Sequence, residues 1–187
     1  MVKRIFDLIF GALISVALII PIIIIACLVK LTSGGPSLYW SDRIGVNNKL
    51  FKMPKFRSMK IDAPVVATDL LVNPDCYLTS IGGFLRKTSL DELPQILCIL
   101  KGEMSFVGPR PALFNQYDLI AERTRLGIDK IKPGLTGWAQ VNGRDELALT
   151  EKIRFDAEYL QHQSLRFDLA ILWLTFLKVS RREGVSH

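Results

Sequence analysis

At 187 residues, with 22% of them charged, the chain fits one globular domain plus a short extra element. A mean hydropathy of +0.27 is high for such a domain, so an apolar segment is attached to an otherwise polar one. The net charge of +6 points to an anionic partner (nucleic acid, an acidic membrane surface or a phosphorylated substrate), while three scattered cysteines and two histidines exclude a disulfide framework and argue against a zinc site. Cys27, Cys76 and Cys98 read as buried apolar fillers in a reducing compartment.

Lys3 and Arg4 precede an apolar stretch from Ile5 to Val29 that Lys30 ends. Leu8 to Val29 carries no charge, which matches the ~20 residues a membrane helix needs. It is too long for the apolar core of a signal peptide and lacks a small-residue cleavage site, so it reads as a retained anchor. Pro21 frees the carbonyl of Ala17 and favours a kink or break, and basic residues flank both ends. Both a kinked crossing helix and a segment that dips into the bilayer and returns fit that pattern.

Residues 32–37 form a turn cluster that marks the domain boundary. Leu38-Tyr39-Trp40, a turn at Gly45 to Asn48, and Leu50 to Met53 predict a hairpin, with Lys55 and Arg57 on one strand face. Residues 61–80 read as a surface loop with a short helix. Ser89-Leu90-Asp91-Glu92-Leu93-Pro94-Gln95 then places two carboxylates before a proline that is comfortable only in a first helical turn. Taken alone, this is a helix start, with Ser89 and Glu92 at capping-box spacing. The apolar run Leu93 to Leu100 predicts a buried helix, stopped by Lys101 and Gly102.

Met104 to Val107 is β-like and runs into Gly108-Pro109-Arg110-Pro111, where two prolines fix the backbone around an arginine. Residues 112–127 predict a surface helix with Glu122, Arg123 and Arg125 outward. Ile131 to Arg144 holds three glycines and a proline, which implies tight turns and close backbone approach. Leu149 to Gln161 suits a charged helix with Asp156 and Tyr159 on one side, and Leu169 to Leu177 a core helix or one lying on a membrane.

Lys55, Arg86, Arg110 and Arg144 are basic residues on constrained backbone, and arginine binds phosphate bidentately at any working pH. Around Asp91 and Glu92 they supply the parts for phosphoryl transfer: a carboxylate nucleophile, a carboxylate for Mg²⁺ and cations for the transition state. A membrane-anchored module that only binds anions would be equally basic, but gains nothing from two carboxylates beside its arginines.

Several stretches, in order, are similar to those of the monotopic phosphoglycosyl transferases, the bacterial sugar transferase family. They are Lys3 to Asp7, Lys55 to Met59, Arg86 to Gln95, Lys101 to Pro111 and Lys132 to Arg144. The resemblance covers essentially the whole chain, in the small single-domain form. It implies a mixed α/β, mostly helical fold: a re-entrant membrane helix (helix, break at Pro21, helix) in residues 1–31, and a cytoplasmic catalytic domain in 32–187 with a short β-hairpin and surface amphipathic helices.

The implied reaction moves a sugar 1-phosphate from a UDP-sugar to undecaprenyl phosphate at the inner membrane of a bacterium and releases UMP, the first membrane step of glycan assembly. Asp91 would be the nucleophile of a covalent phosphosugar intermediate, and Glu92, with Asp91, would hold Mg²⁺. Lys55, Arg86, Arg110, Arg144 and Asp168 would bind phosphates or nucleotide. Membrane lipids are then the surrounding partner and nucleic acid is not one. Hexose, N-acetylhexosamine and modified amino-sugar donors all fit, as do monomer and oligomer. One departure is Ile20, where members often place a serine before the proline, leaving Ser15 as the nearest hydroxyl.

Overall fold

A computed structural model describes residues 2–64, 66, 73–143 and 147–181. Helix α1 (Val2–Thr32) is the one described helix long and apolar enough to cross a membrane. It runs unbroken through Pro21, so the expected division into two helices at that residue is not observed. An interior proline removes one backbone bond, and a long apolar helix tolerates that loss. Ser15 does not reach the carbonyl freed by the ring; its hydroxyl donates to Gly11 O at 2.7 Å.

The packing of α1 is one-sided. Asp7, Gly11, Ile25 and Val29 are buried and Ile14, Leu18 and Ile22 half-buried, a stripe at helical spacing along the whole element. Ile9, Leu13, Val16, Ile20 and Ile24 on the other sides are exposed. At one end Lys3 and Arg4 donate to the Val107, Ile99 and Leu100 carbonyls, and Asp7 accepts from Ser105 Oγ and Phe106 N. At the other, Ile25 and Val29 pack with Phe56 and Leu85, and Ser37 Oγ donates to Ala26 O. Both ends of α1 are therefore fastened to the same body.

Strands β1 (Leu38–Ile44) and β2 (Leu50–Phe56) pair antiparallel, with Tyr39 opposite Lys55, across a short 3-10 turn at Val46–Asn48. The hairpin is where the sequence placed it. After a 3-10 turn at Pro74–Tyr77 and helix α2 (Gly82–Lys87), a 3-10 segment, Leu90–Gln95, carries both carboxylates and leads into α3 (Ile96–Lys101). Gly102 ends α3 at φ 91°, the left-handed stop that glycine adopts without penalty.

Strand β3 (Ser105–Val107) pairs in parallel with β4 (Gly134–Thr136), a partner the turn-rich sequence did not announce. Helices α4 (Tyr117–Arg125), α5 (Trp138–Val141), α6 (Leu149–His162) and α7 (Leu165–Arg181) complete the chain. The main core joins Met53, Cys98, Ile99, Met104, Phe106, Val107, Val141, Tyr159 and Ile171, drawn from both sheets and four helices. The fold is mostly helical with a short hairpin, as expected.

Two details differ from the sequence reading. Only Cys98 is a buried filler; Cys27 and Cys76 are exposed. Arg123 does not face outward: its side chain turns in from α4 to Asp156 on α6.

Candidate active site

The 3-10 segment at Leu90–Gln95 packs against β2, and that contact builds the site. Ser89 enters it at φ 56° and makes no capping bond through its side chain, so the capping-box expectation fails. The turn is closed by backbone instead, Glu92 N donating to Ser89 O at 3.2 Å. Glu92's side chain is thereby left for other partners. Lys55 Nζ on β2 donates to Glu92 Oε1 at 2.7 Å, and Arg110 Nη2 approaches the same oxygen at 3.4 Å.

Asp91 and Glu92 are both buried. Asp91 accepts no hydrogen bond among the described residues, although Lys55, Arg86 and Arg110 all act on its charge. Burial dominates and lifts its pKa to about 6, with Lys55 opposing and Glu92 reinforcing the rise. At neutral pH it is mostly an ionised, poorly solvated carboxylate, the state a nucleophile needs. Burial also pushes Lys55 below the usual lysine range, against the pull of Glu92. Arg86, on α2, donates to Met59 Sδ at 3.4 Å beside the cluster.

Four expected residues besides the dyad can thus be placed, and Lys55, Arg86 and Arg110 converge on it. Asp168 does not. Its carboxylate is buried on α7, where Lys3 Nζ donates to Oδ2 and the Tyr159 hydroxyl donates to Oδ1 at 2.7 Å. With its two oxygens engaged by a lysine and a phenol, it ties α1, α6 and α7 together, apart from the cations around the dyad. Arg144 lies outside the described residues.

Two adjacent carboxylates, Asp91 and Glu92, fit a hard cation that takes one or two protein carboxylates and the rest from phosphates and water. No third acidic, histidine or cysteine ligand joins them among the described residues. Gln95, in the same segment, is a further buried group with a donor, Nε2, that meets no acceptor there. The sequence signal for it is a polar residue inside the otherwise apolar run Leu93 to Leu100.

The loop that presents Arg110 is held by backbone contact. Gly108, Gly134 and Gly137 admit no side chain: a Cβ on Gly134 would lie 2.1 Å from Gly108 N, and one on Gly137 2.1 Å from Gly108 O. The close approach expected of residues 131–144 is therefore made to the Arg110 loop itself.

A family described as bacterial sugar transferase matches residues 1–182. The UDP-glucose:undecaprenyl-phosphate glucose-1-phosphate transferase of Escherichia coli (strain K12) is 44% identical over 187 residues, covering 95% of this chain and 40% of that protein. The undecaprenyl-phosphate galactose phosphotransferase of Salmonella typhimurium is 36% identical over 197 residues, 97% of this chain and 41% of its own. The exopolysaccharide production protein ExoY of Rhizobium meliloti is 37% identical over 200 residues, 98% of this chain and 88% of its own. The chain spans about 40% of the longer relatives it matches and most of the shorter one. A match this extensive, on a fold that gathers the motif residues around Asp91 and Glu92, makes the chain a member of the bacterial sugar transferase family.

Proposed function

We propose that this chain transfers a sugar 1-phosphate from a UDP-sugar to undecaprenyl phosphate and releases UMP. The observation that carries the reading is Asp91: a buried carboxylate without a hydrogen-bond partner among the described residues, beside a glutamate that two cations already hold. An Asp91 oxygen attacks the phosphorus that bears the sugar. The bond from that phosphorus to the bridging oxygen breaks, UMP leaves with the electron pair, and the sugar phosphate stays on Asp91 as an acyl phosphate. An oxygen of undecaprenyl phosphate then attacks the same phosphorus and returns Asp91 as a carboxylate.

Lys55, Arg86 and Arg110 offset the charge that gathers on the phosphoryl oxygens, a form of stabilisation that is strongest in a partly dry site. Asp91 and Glu92 would hold Mg²⁺, which when bound supplies further positive charge to the diphosphate. Lys55 and Arg110 hold Glu92 and so keep this second carboxylate of the dyad from rotating onto the nucleophile.

Residues 1–31 serve as the anchor, the unbroken helix lying along the membrane with both ends on the cytoplasmic face and the catalytic domain beneath it. This is supported by the fastening of both ends of α1 to one body and by the continuous exposed apolar side of the helix. Undecaprenyl phosphate would then reach Asp91 from the membrane without leaving it.

The test uses purified protein in lipid nanodiscs with Mg²⁺, undecaprenyl phosphate and UDP-glucose, UDP-galactose or UDP-N-acetylglucosamine. UMP release that requires both donor and acceptor for sustained turnover is expected from at least one donor. No UMP with any UDP-sugar, alongside salt-sensitive binding to anionic vesicles, would favour a non-catalytic membrane module instead.

A further inference from the structure

Four successive carbonyls of the Arg110 loop are each bound by a donor from elsewhere in the fold. Pro109 O accepts from Gly134 N at 2.9 Å, and Ala112 O from Ile44 N at 3.0 Å. Between them, Arg110 O accepts from Arg123 Nη1 at 2.8 Å, and Pro111 O from Arg43 Nη1 at 3.0 Å. The two prolines fix their own φ, and each restricts the residue before it. Backbone freedom that remains at Arg110 is therefore limited by two arginine side chains that reach in from β1 and α4.

Arg123 is itself clamped. Its Nε and Nη2 donate to Asp156 Oδ2 at 3.0 and 2.6 Å, so the planar fork holds α6 on one side and the Arg110 carbonyl on the other. The side chains of this ion pair are mostly (Arg123) and fully (Asp156) buried, 12% and 2% exposed. A buried pair is poor value for stability, because apolar residues of similar volume serve as well or better. Burial raises the Asp156 pKa against the opposing charge and hydrogen bond of Arg123. What apolar residues would not supply is a donor of fixed direction onto Arg110 O.

We infer that Arg123, held by Asp156 and seconded by Arg43, is a positioning residue that sets where the Arg110 guanidinium meets Glu92 and the donor's phosphates. The inference rests on the proposed phosphate-handling role of Arg110. It also explains why a helix whose other charges face solvent turns one arginine inward.

A double-mutant cycle tests it, read as UMP release with whichever of the three UDP-sugars is turned over. Arg123→Gln lowers kcat roughly 10- to 100-fold, the cost of a small misplacement of a catalytic group, with a smaller change in KM. In an Arg110→Ala background the same substitution has no further effect on kcat. Arg123→Lys, which keeps a charged donor but not the planar fork, restores part of the loss. Asp156→Asn, which keeps shape and an acceptor, lowers kcat in the same direction and replaces Arg123→Gln if that protein does not fold.

Losses that multiply in the double variant would overturn the positioning role and leave the transferase reading intact. Full turnover by Arg110→Ala would remove both the role of Arg110 and the inference. Should no donor be turned over, the transferase reading fails, and hydrogen exchange decides the inference alone. Faster exchange in the 107–113 peptide of Arg123→Gln, with other peptides unchanged, supports it; unaltered exchange there overturns it.

Discussion

Asp168 and Asp91 are both buried aspartates near a lysine, yet Asp168 has both oxygens engaged by Lys3 and Tyr159 while Asp91 accepts no hydrogen bond among the described residues. At Asp168 the lysine's donors are also committed, to Val107 O, the Tyr159 hydroxyl and the carboxylate. Burial and the Asp168 charge push the Tyr159 phenol far above its ordinary range, so it stays a donor at any working pH. This is a closed cluster, and its product is attachment of α1 to the domain. At Asp91 the cations sit on the neighbouring glutamate instead, and the aspartate is left charged and underused. A complete set of partners marks structure; an incomplete one, in a buried place, marks chemistry.

The largest expected effect separates the two sites. Asp91→Asn lowers UMP release by about three orders of magnitude or more, because an amide cannot form the acyl phosphate and residues of one mechanism act as a unit. It leaves the fold intact. Lys3→Met does the reverse: it strands Asp168 as an unpaired buried charge, destabilises the protein by about 3 kcal/mol in thermal or denaturant unfolding, and leaves the kcat of the remaining folded protein close to wild type. Equal damage to turnover from both variants would break the comparison.

A smaller effect is the pH dependence. With Asp91 near pKa 6, turnover should fall as pH drops through that value, about tenfold per unit below it, since only the carboxylate attacks. Stability runs the other way. The free value is 3.8 and the folded value about 6, so the folded state holds the proton more tightly, and that contribution is complete at low pH and lost as pH rises through 6. At pH 7.5, Asp91→Asn should therefore be more stable than wild type by up to ~3 kcal/mol, with the margin gone below about pH 4. Urea midpoints at the two pH values measure it.

Much of this was legible from local sequence. The hairpin follows from its turn residues, the stop at Gly102 from the end of an apolar run, and the helical start that carries Asp91 and Glu92 from Pro94; a role for each of the pair came only from the family resemblance. What was not legible is long-range. Lys3 and Asp168 are 165 positions apart, and no local pattern pairs them. Asp7 was the missed clue, since an aspartate on the buried stripe of an apolar helix demands donors, here Ser105 and Phe106. Arg123 was read as exposed because arginine on a polar helix usually is, and its acceptor Asp156 breaks the apolar pattern of its own helix too. Strand β4 is three residues long, two of them Gly134 and Thr136, and its pairing with β3 depends on a glycine contact visible only in space.

The covalent step on Asp91 is tested most directly by intact-mass spectrometry of the protein incubated with Mg²⁺ and a UDP-sugar it turns over, without undecaprenyl phosphate. The account predicts a mass increase of one sugar phosphate, located on Asp91 by peptide mapping, absent in Asp91→Asn and discharged on adding the acceptor. An unmodified protein that nevertheless turns over when the acceptor is present, or an adduct on another residue, would contradict it.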